Sequence, residues 1–351
     1  MITTSNIEEL ISFFKKHICI YVIFITYMNY AFKNVLVTGS TGLLGSWLSE
    51  KLINENIEIK GIALDTSLNF LLESKNIADN FDNQYFDIAD STKVNDYFKK
   101  NKFDLIIHLA AQTQVRDAID NPIKTFKSNI EGTWNILENC RNYNTPIVVA
   151  SSDKAYGVSD KLPYKENFPL NGVFPYEFSK SATDMMCKTY KTTYELPVSV
   201  MRCGNIYGGG DLNWERLIPG VIKFLINNQT PVLRSDGKFK RDWVYVEDVV
   251  QAYLGVSNAL VDGEKRVSES YNYSSTDYLS VMEVYEKICE AFSGRFVEPI
   301  IEENSQYEIK DQYLSSDLIF NELNITSQFT LKEALKNTIN WYKENLNNGL
   351  N

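Results

Sequence analysis

The chain has 351 residues, 44% of them hydrophobic, and a formal net charge of −10. It is long enough for a large α/β domain or two lobes, and apolar enough that a packed core is expected rather than disorder. The negative balance argues against a nucleic-acid binder that replaces counterions with a basic surface, although a helix N-terminus and a few arginines suffice for a phosphate-bearing small ligand.

Residues 1–27 precede the first recognisable element. Ile18 to Phe32 carries no charge, yet it is shorter than the roughly 18–20 apolar residues needed to span a bilayer, and no small-residue cleavage site follows. These residues are read as an extension outside the fold, or Met28 as the natural start, with no stable membrane insertion. Cys19, Cys140, Cys187, Cys203 and Cys289 are scattered, which suits reduced thiols in a cytoplasmic enzyme rather than a zinc or redox motif. The histidines are His17 and His108. His108 sits in the apolar run Leu105–Leu109 and reads as a packed strand-end residue. Neither a Ser-His-Asp hydrolase nor a His-rich metal site is therefore expected.

Lys33 to Thr38 reads as a buried strand. Gly39-Ser40-Thr41-Gly42-Leu43-Leu44-Gly45 follows, and Ser46 to Asn56 then places Leu48, Leu52 and Ile53 on one helical face. Strand, Gly-rich turn and helix form the context of a dinucleotide site. Gly39 allows the tight turn, Gly42 lets backbone approach a pyrophosphate, and Gly45 lets helix pack on strand. The second strand, Ile57 to Leu64, ends in Asp65, 20 residues after Gly45. A carboxylate there meets the adenosine ribose and favours NAD over NADP. The third strand, Gln84 to Phe86, leads to Asp87 and Ile88, placed at the adenine. The fourth leads from Leu109 to Ala110, Ala111 and Gln112, where small residues let backbone lie against a flat cofactor; ordinary close packing explains the alanines equally well. Phe126, Ile130, Trp134, Leu137 and Cys140 share a helical face, read as core or a dimer face. Asn129 breaks that pattern and is assigned to the cofactor side, orienting backbone near the active strand; a solvated Asn explains it nearly as well.

Val148 to Ala150 reads as the next buried strand. It ends in Ser151-Ser152-Asp153-Lys154, which puts a hydroxyl, a carboxylate and an ammonium at a strand end, where open α/β sheets hold ligands. Tyr176 and Lys180 are spaced i, i+4 and so share a helix face. A lysine ammonium beside a phenol favours the phenolate, and a phenolate takes a proton from a sugar hydroxyl. Strand and helix alternate up to residue 151, which implies a Rossmann-like doubly wound parallel sheet. Residues 28–172 are read as the NAD-binding domain. Residues 173–351 form a smaller mixed α/β substrate lobe, with about 174–206 and 240–260 returning to the first domain. In that lobe the expected elements are a helix over Tyr176–Glu195, a strand over Val198–Met201 and a glycine loop, Gly208–Gly210, passing a ligand. Further helices are expected over Leu217–Ile226, from within Lys240–Asp248, and over Ser280–Phe292, Asp317–Leu323 and Leu331–Leu346, with strands scarce.

Together these stretches resemble the extended short-chain dehydrogenase/reductase superfamily, in its nucleotide-sugar-modifying branch, over about residues 33 to 345. The motifs are Gly39-x-x-Gly42-x-x-Gly45, Tyr176-x-x-x-Lys180, Arg202-x-x-Asn205-x-Tyr207-Gly208 and Arg241-Asp242-Trp243-Val244-Tyr245-Val246-x-Asp248. Epimerases and reductases of this branch carry Ser-Ser or Ser-Thr and then small residues, whereas sugar 4,6-dehydratases carry Thr-Asp-Glu. Ser152-Asp153-Lys154 is similar to the CDP-glucose 4,6-dehydratases. So are Gly45-Ser46-Trp47, Ala110 to Arg116, and Gly204 to Asp211 with Arg216 to Pro219. Val173-Phe174-Pro175-Tyr176 departs from the His-Asp-Pro-Tyr of that branch.

The resemblance implies bound NAD, a CDP-glucose substrate and a homodimer built from the helices around Phe126–Cys140 and Tyr176–Tyr194. The alternative is an NAD-dependent NDP-sugar 4-epimerase, which works without elimination. The implied roles are Tyr176 as base at the carbon-4 hydroxyl, Lys180 on the nicotinamide ribose and Ser152 on the reacting oxygen. Asp153 is then the acid for the departing hydroxyl, and Lys154 the base at carbon 5. The competing view of Asp153 and Lys154 is a pair that merely satisfies itself. Gln112, Asn205, Arg216 and Arg241 are assigned to substrate, with Arg241 on a phosphate, which arginine meets in bidentate fashion.

Overall fold

Along the chain come β1 (Asn34–Thr38), α1 (Leu43–Asn54), β2 (Glu58–Ala63), β3 (Asp82–Tyr85), α2 (Ser91–Lys100), β4 (Leu105–His108), α3 (Gly132–Tyr143), β5 (Ile147–Ala150), α4 (Pro175–Tyr194) and β6 (Val198–Cys203). They are followed by β7 (Asn205–Tyr207), α5 (Leu217–Ile226), β8 (Val232–Leu233), β9 (Lys240–Tyr245), α6 (Val246–Asp262), β10 (Ser270–Tyr273), β11 (Tyr278–Ser280), α7 (Val281–Ser293), β12 (Ile300–Ile301), α8 (Asp317–Leu323) and α9 (Leu331–Leu346). The computed structural model describes residues 30–68, 70–80, 82–263, 267–302 and 309–346. The expectations for residues 1–27, for Met28 as a start and for Cys19 lie outside the described residues.

The large sheet runs β10-β6-β5-β4-β1-β2-β3, and every neighbouring pair is parallel. Parallel strands covered on both faces read as continuous apolar runs, and Val35–Val37, Leu105–Ile107 and Ile147–Val149 are all fully buried. The order reverses between β1 and β4, where Thr38 lies opposite His108. The carboxyl ends of these two strands form the crevice in which such sheets bind ligands. The third strand begins two residues and ends one residue earlier than its pattern suggests. It is a polar edge strand, Asp82-Asn83-Gln84-Tyr85 with no buried position, so burial left no periodic mark on it.

One core packs Leu36, Ile106 and Val149 of the sheet against Leu137 of α3 and Cys187 of α4. A second core gathers α5, α7 and α9 through Ile222, Ile288 and Ile339, and Leu43, Leu44 and Trp47 of α1 pack against it. The C-terminal half also holds more strands than expected. β11, β9 and β7 form a three-stranded sheet, and β12 and β8 a pair. Lys240–Tyr245, expected to open a helix, is strand β9, and the helix starts only at Val246. Its Trp243, Val244 and Tyr245 are strand formers, while Glu247 and Asp248 suit a first helical turn. The expected helix around residues 126–140 is divided. Pro122–Phe126 is helical, Lys127–Glu131 is a π-turn, and α3 follows. Leu137 and Cys140 are core, whereas Trp134 is 44% exposed. Among the described residues no helix is long and apolar enough to cross a membrane.

Candidate active site

β5 ends at Ala150, and Asp153–Tyr156 forms a short 3-10 turn capped by Ser152, whose Oγ accepts the Lys154 N–H at 3.2 Å. The same hydroxyl donates to Asp153 Oδ1 at 2.8 Å. Asp153 is 2% exposed, and its other oxygen, Oδ2, has no hydrogen-bond partner. A buried carboxylate oxygen without a partner calls for an explanation such as an incoming donor. Lys154 turns away from it: Nζ donates to Gln312 Oε1 at 3.1 Å, and Gln312 Nε2 donates back to the Asp153 carbonyl at 3.2 Å. Among the described residues no ion pair joins Asp153 to Lys154, so they are not the self-satisfied pair.

Pro175 in the first turn and Glu177, which accepts the Val173 N–H at 3.2 Å, start α4. Proline is pre-set for that position. Tyr176 therefore sits in the first turn and Lys180 one turn later, both buried. Lys180 Nζ donates to the Ala150 carbonyl at 2.9 Å, which ties α4 to the end of β5. Burial lowers the Lys180 pKa to about 8, against the pull of Asp184 and Cys187. Tyr176 departs from expectation. Burial pushes its phenol up to about 12, Arg216 and a hydrogen bond with Ser152 draw it down, and Asp153 adds to the rise. The Lys180 ammonium is turned to the Ala150 carbonyl.

Asn129 lies in the π-turn, a feature frequent at functional sites. Its Oδ1 accepts the Gln112 N–H at 2.7 Å, and its Nδ2 donates to Gln112 O and Ser179 Oγ, both at 2.9 Å. Ser179 in turn donates to the Tyr176 carbonyl at 2.7 Å. Asn129 thus joins the loop after β4 to the first turn of α4. The Gln112 side chain is turned onto the Gln114 carbonyl. His108 is packed as expected, between Thr38 Oγ1 at 2.7 Å and Thr133 Oγ1 at 3.0 Å. Burial, with Lys180 nearby, drives its pKa down to about 3.

At the switch point Gly39 has φ +70°, and a Cβ there would lie 2.8 Å from Ala110 N. A Cβ on Gly45 would lie 2.1 Å from Gly39 O, whereas one on Gly42 would meet only Gly39 O at 3.3 Å. Gly42 caps α1 without a side-chain bond, and the first turn holds no acidic residue. The positive end of the helix is thereby left to an anion. Thr41 is buried beside it. The side chains of Leu43 and Leu44 face the second core, so backbone N–H is what they offer a ligand. The N–H groups of Leu109 and Ala110 both reach Thr38 Oγ1 at 3.2 Å, and Ala111 is half-buried. Past β2, exposed Asp65 accepts the Ser67 N–H at 2.8 Å, and its bonds to Ser67 hold its pKa below the usual carboxylate value. Asp87 accepts from Ala89 N, while Ile88 is buried beneath Gly132. A glycine-rich turn, an uncapped helix end and an exposed carboxylate beyond β2 together fit an NAD.

Of the residues expected at the substrate, Arg216 caps α5 and pairs with Asp211 at 3.1 Å. Asn205 Nδ2 reaches the Asp242 carbonyl at 3.4 Å. The Arg241 guanidinium is buried against the carbonyls of Lys240 and Lys310. The Gly208–Gly210 loop is glycine-rich because protein closes on it: added Cβ atoms would strike Val246, Trp341 and Leu71 in turn. The segment is buried, with Tyr342 donating to the Asp211 carbonyl at 2.6 Å. Sequence reasoning missed Gln312, because nothing local marks a glutamine 158 residues from its partner.

Residues 35–272 match the NAD dependent epimerase/dehydratase family. The chain is 31% identical over 258 residues to the CDP-glucose 4,6-dehydratase of Salmonella typhimurium, covering 70% of this chain and 72% of that protein. It is 33% identical over 321 residues to a putative UDP-glucose 4-epimerase of Methanocaldococcus jannaschii, covering 89% and 99%. Among solved structures, the dTDP-glucose 4,6-dehydratase of Bacillus anthracis in complex with NAD aligns with a TM-score of 0.78 at 27% identity, covering 89% of this chain and 97% of that one.

Proposed function

The chain belongs to the NAD dependent epimerase/dehydratase family, and we propose that within it this protein is a nucleotide-sugar 4,6-dehydratase acting on CDP-glucose. The observation that carries the reading is the turn after β5: a buried carboxylate with one unpartnered oxygen, next to a lysine not paired with it. Elimination needs an acid and a base side by side, whereas epimerisation has no use for either. The Salmonella relative supports the choice of CDP-glucose.

Bound NAD supplies hydride acceptance at carbon 4 and its return at carbon 6; Gly39, Gly42, Gly45 and Asp65 would hold it, with Lys180 on the nicotinamide ribose. Tyr176 takes the proton of the carbon-4 hydroxyl, and Ser152 hydrogen-bonds that oxygen. The resulting ketone acidifies carbon 5. Lys154 Nζ takes the carbon-5 proton, the C–H electron pair forms the carbon 5–carbon 6 double bond, and the carbon 6–oxygen bond breaks. Asp153 donates a proton to the departing hydroxyl, which leaves as water. Each such proton transfer contributes typically 10²–10⁴-fold. Arg216, Asn205 and Gln112 line the sugar and nucleotide side. Exposed Trp134, Phe178 and Met185 on α3 and α4 support pairing with a second copy, and the buried free cysteines support a reducing, cytoplasmic setting.

The test is incubation with CDP-glucose in deuterium-enriched water, read by mass spectrometry. Loss of one water with deuterium at carbon 5 is expected. Unchanged mass with a shifted chromatographic peak would make the protein a 4-epimerase.

A further inference from the structure

Gln312 is fully buried and comes from the segment before α8, outside every motif of the sequence. Its backbone is fixed beside β9, with its N–H on the Lys240 carbonyl at 3.1 Å and a bridge to Arg241. Arg241, whose guanidinium also takes the Lys310 carbonyl, fastens the same segment. The amide orientation follows from chemistry: the Asp153 carbonyl only accepts and the Lys154 ammonium only donates. Nε2 must therefore face Asp153 O, and Oε1 must face Lys154. The fully buried amide in this position takes one N–H of half-buried Lys154.

We propose that Gln312 is the positioning residue for the carbon-5 base, a conclusion that rests on the dehydratase reading. Its carbonyl oxygen fixes the direction of Lys154 Nζ. It is also neutral, whereas a carboxylate at that point would favour the charged ammonium and hold its proton. Lys154 can then give up and regain a proton without leaving its place. The second amide bond ties this base to the residue that carries the acid, Asp153, so the two groups of the elimination share one support.

The experiment measures kcat, KM and deuterium isotope effects with CDP-glucose labelled at carbon 4 or at carbon 5. Gln312→Leu removes both amide bonds at similar volume. Expected is a fall in kcat of about 10²-fold, with KM within about twofold, as for an interaction made mainly in the transition state. The carbon-5 isotope effect on kcat grows and the carbon-4 effect fades, because elimination becomes limiting. Gln312→Glu keeps the shape and the acceptor, and serves if the first variant does not fold. It is expected to slow turnover about tenfold with the same isotope pattern. Wild-type turnover in either folded variant, or slower turnover with unchanged isotope effects, overturns the positioning role while leaving the dehydratase reading intact. A wild-type protein that releases no water from CDP-, dTDP-, UDP- or GDP-glucose overturns both.

Discussion

The Arg202 guanidinium holds the Asp184 carboxylate through two hydrogen bonds, Nε to Oδ2 at 2.9 Å and Nη2 to Oδ1 at 2.7 Å, with both side chains buried. The pair joins β6 to α4 one turn beyond Lys180. Arg202 also donates to the Tyr156 hydroxyl at 2.7 Å, and Tyr156 donates to Asn272 Oδ1 at 2.7 Å. One guanidinium therefore connects α4, the turn that carries Asp153 and Lys154, and β10. Removing one partner of a buried pair leaves an uncompensated charge. Asp184→Ala is expected to destabilise the fold by about 3–5 kcal/mol, seen as a lower urea midpoint. A loss below about 1 kcal/mol would mean that the pair behaves like an exposed one.

The acid and base of the elimination can be separated from the oxidation. Asp153→Asn and Lys154→Met are each expected to lower dehydration by about 10²–10⁴-fold. Tyr176→Phe is expected to abolish every reaction at carbon 4, including exchange of deuterium from that position. The 4-keto product is the readout. Near-wild-type formation of the 4-keto product in both Asp153→Asn and Lys154→Met would remove these two side chains from the elimination.

Two buried groups give opposite pH slopes to stability. The folded-state pKa of His108 is about 3, below its unfolded value of 6.5. The unfolded chain then binds more protons in that window, and stability falls as pH drops from 6.5 towards 3, by about 5 kcal/mol in full. Asp242 is raised by burial from 3.8 to about 7. Here the folded chain binds more protons, and stability falls as pH rises from 3.8 to 7, by about 4 kcal/mol. The two contributions nearly cancel in the wild type, so denaturation midpoints across this range should fall with rising pH for His108→Gln. For Asp242→Asn they should rise with pH. Parallel profiles for wild type and both variants would contradict these assignments.

Gly45 tests the cofactor turn. A Cβ there meets Gly39 O at 2.1 Å, and backbone cannot yield as a flexible side chain does. Gly45→Ala is expected to be destabilised by about 1–3 kcal/mol and to weaken NAD binding at least about tenfold, the equivalent of roughly 1.4 kcal/mol. Isothermal titration with NAD measures the second effect. Unchanged affinity would place the pyrophosphate elsewhere.

The nucleotide half was legible because its signals are local. Buried parallel strands are apolar runs, the glycine turn is contiguous, and Tyr176 and Lys180 lie one helical turn apart. The polar edge strand β3 and strand β9 were less legible, since neither carries a strong period of two. In the sequence the glycines of 208–210 suggest a loop approaching a ligand. In the structure they accommodate Val246, Trp341 and Leu71, side chains too distant in the chain for the sequence to announce.

By itself, then, the sequence determined the doubly wound sheet, the dinucleotide turn and the residues Ser152, Asp153, Lys154, Tyr176 and Lys180, because each follows from spacing within one element or one strand end. Only the tertiary structure decided what those side chains face. It buried Tyr176 beside Arg216 and turned Lys180 to the Ala150 carbonyl. It left Asp153 Oδ2 without a partner and set Lys154 on Gln312. Desolvation and hydrogen-bond pairing depend on what the rest of the fold packs around a residue, and Gln312, 158 positions from Lys154, supplies that packing here as much as near neighbours do.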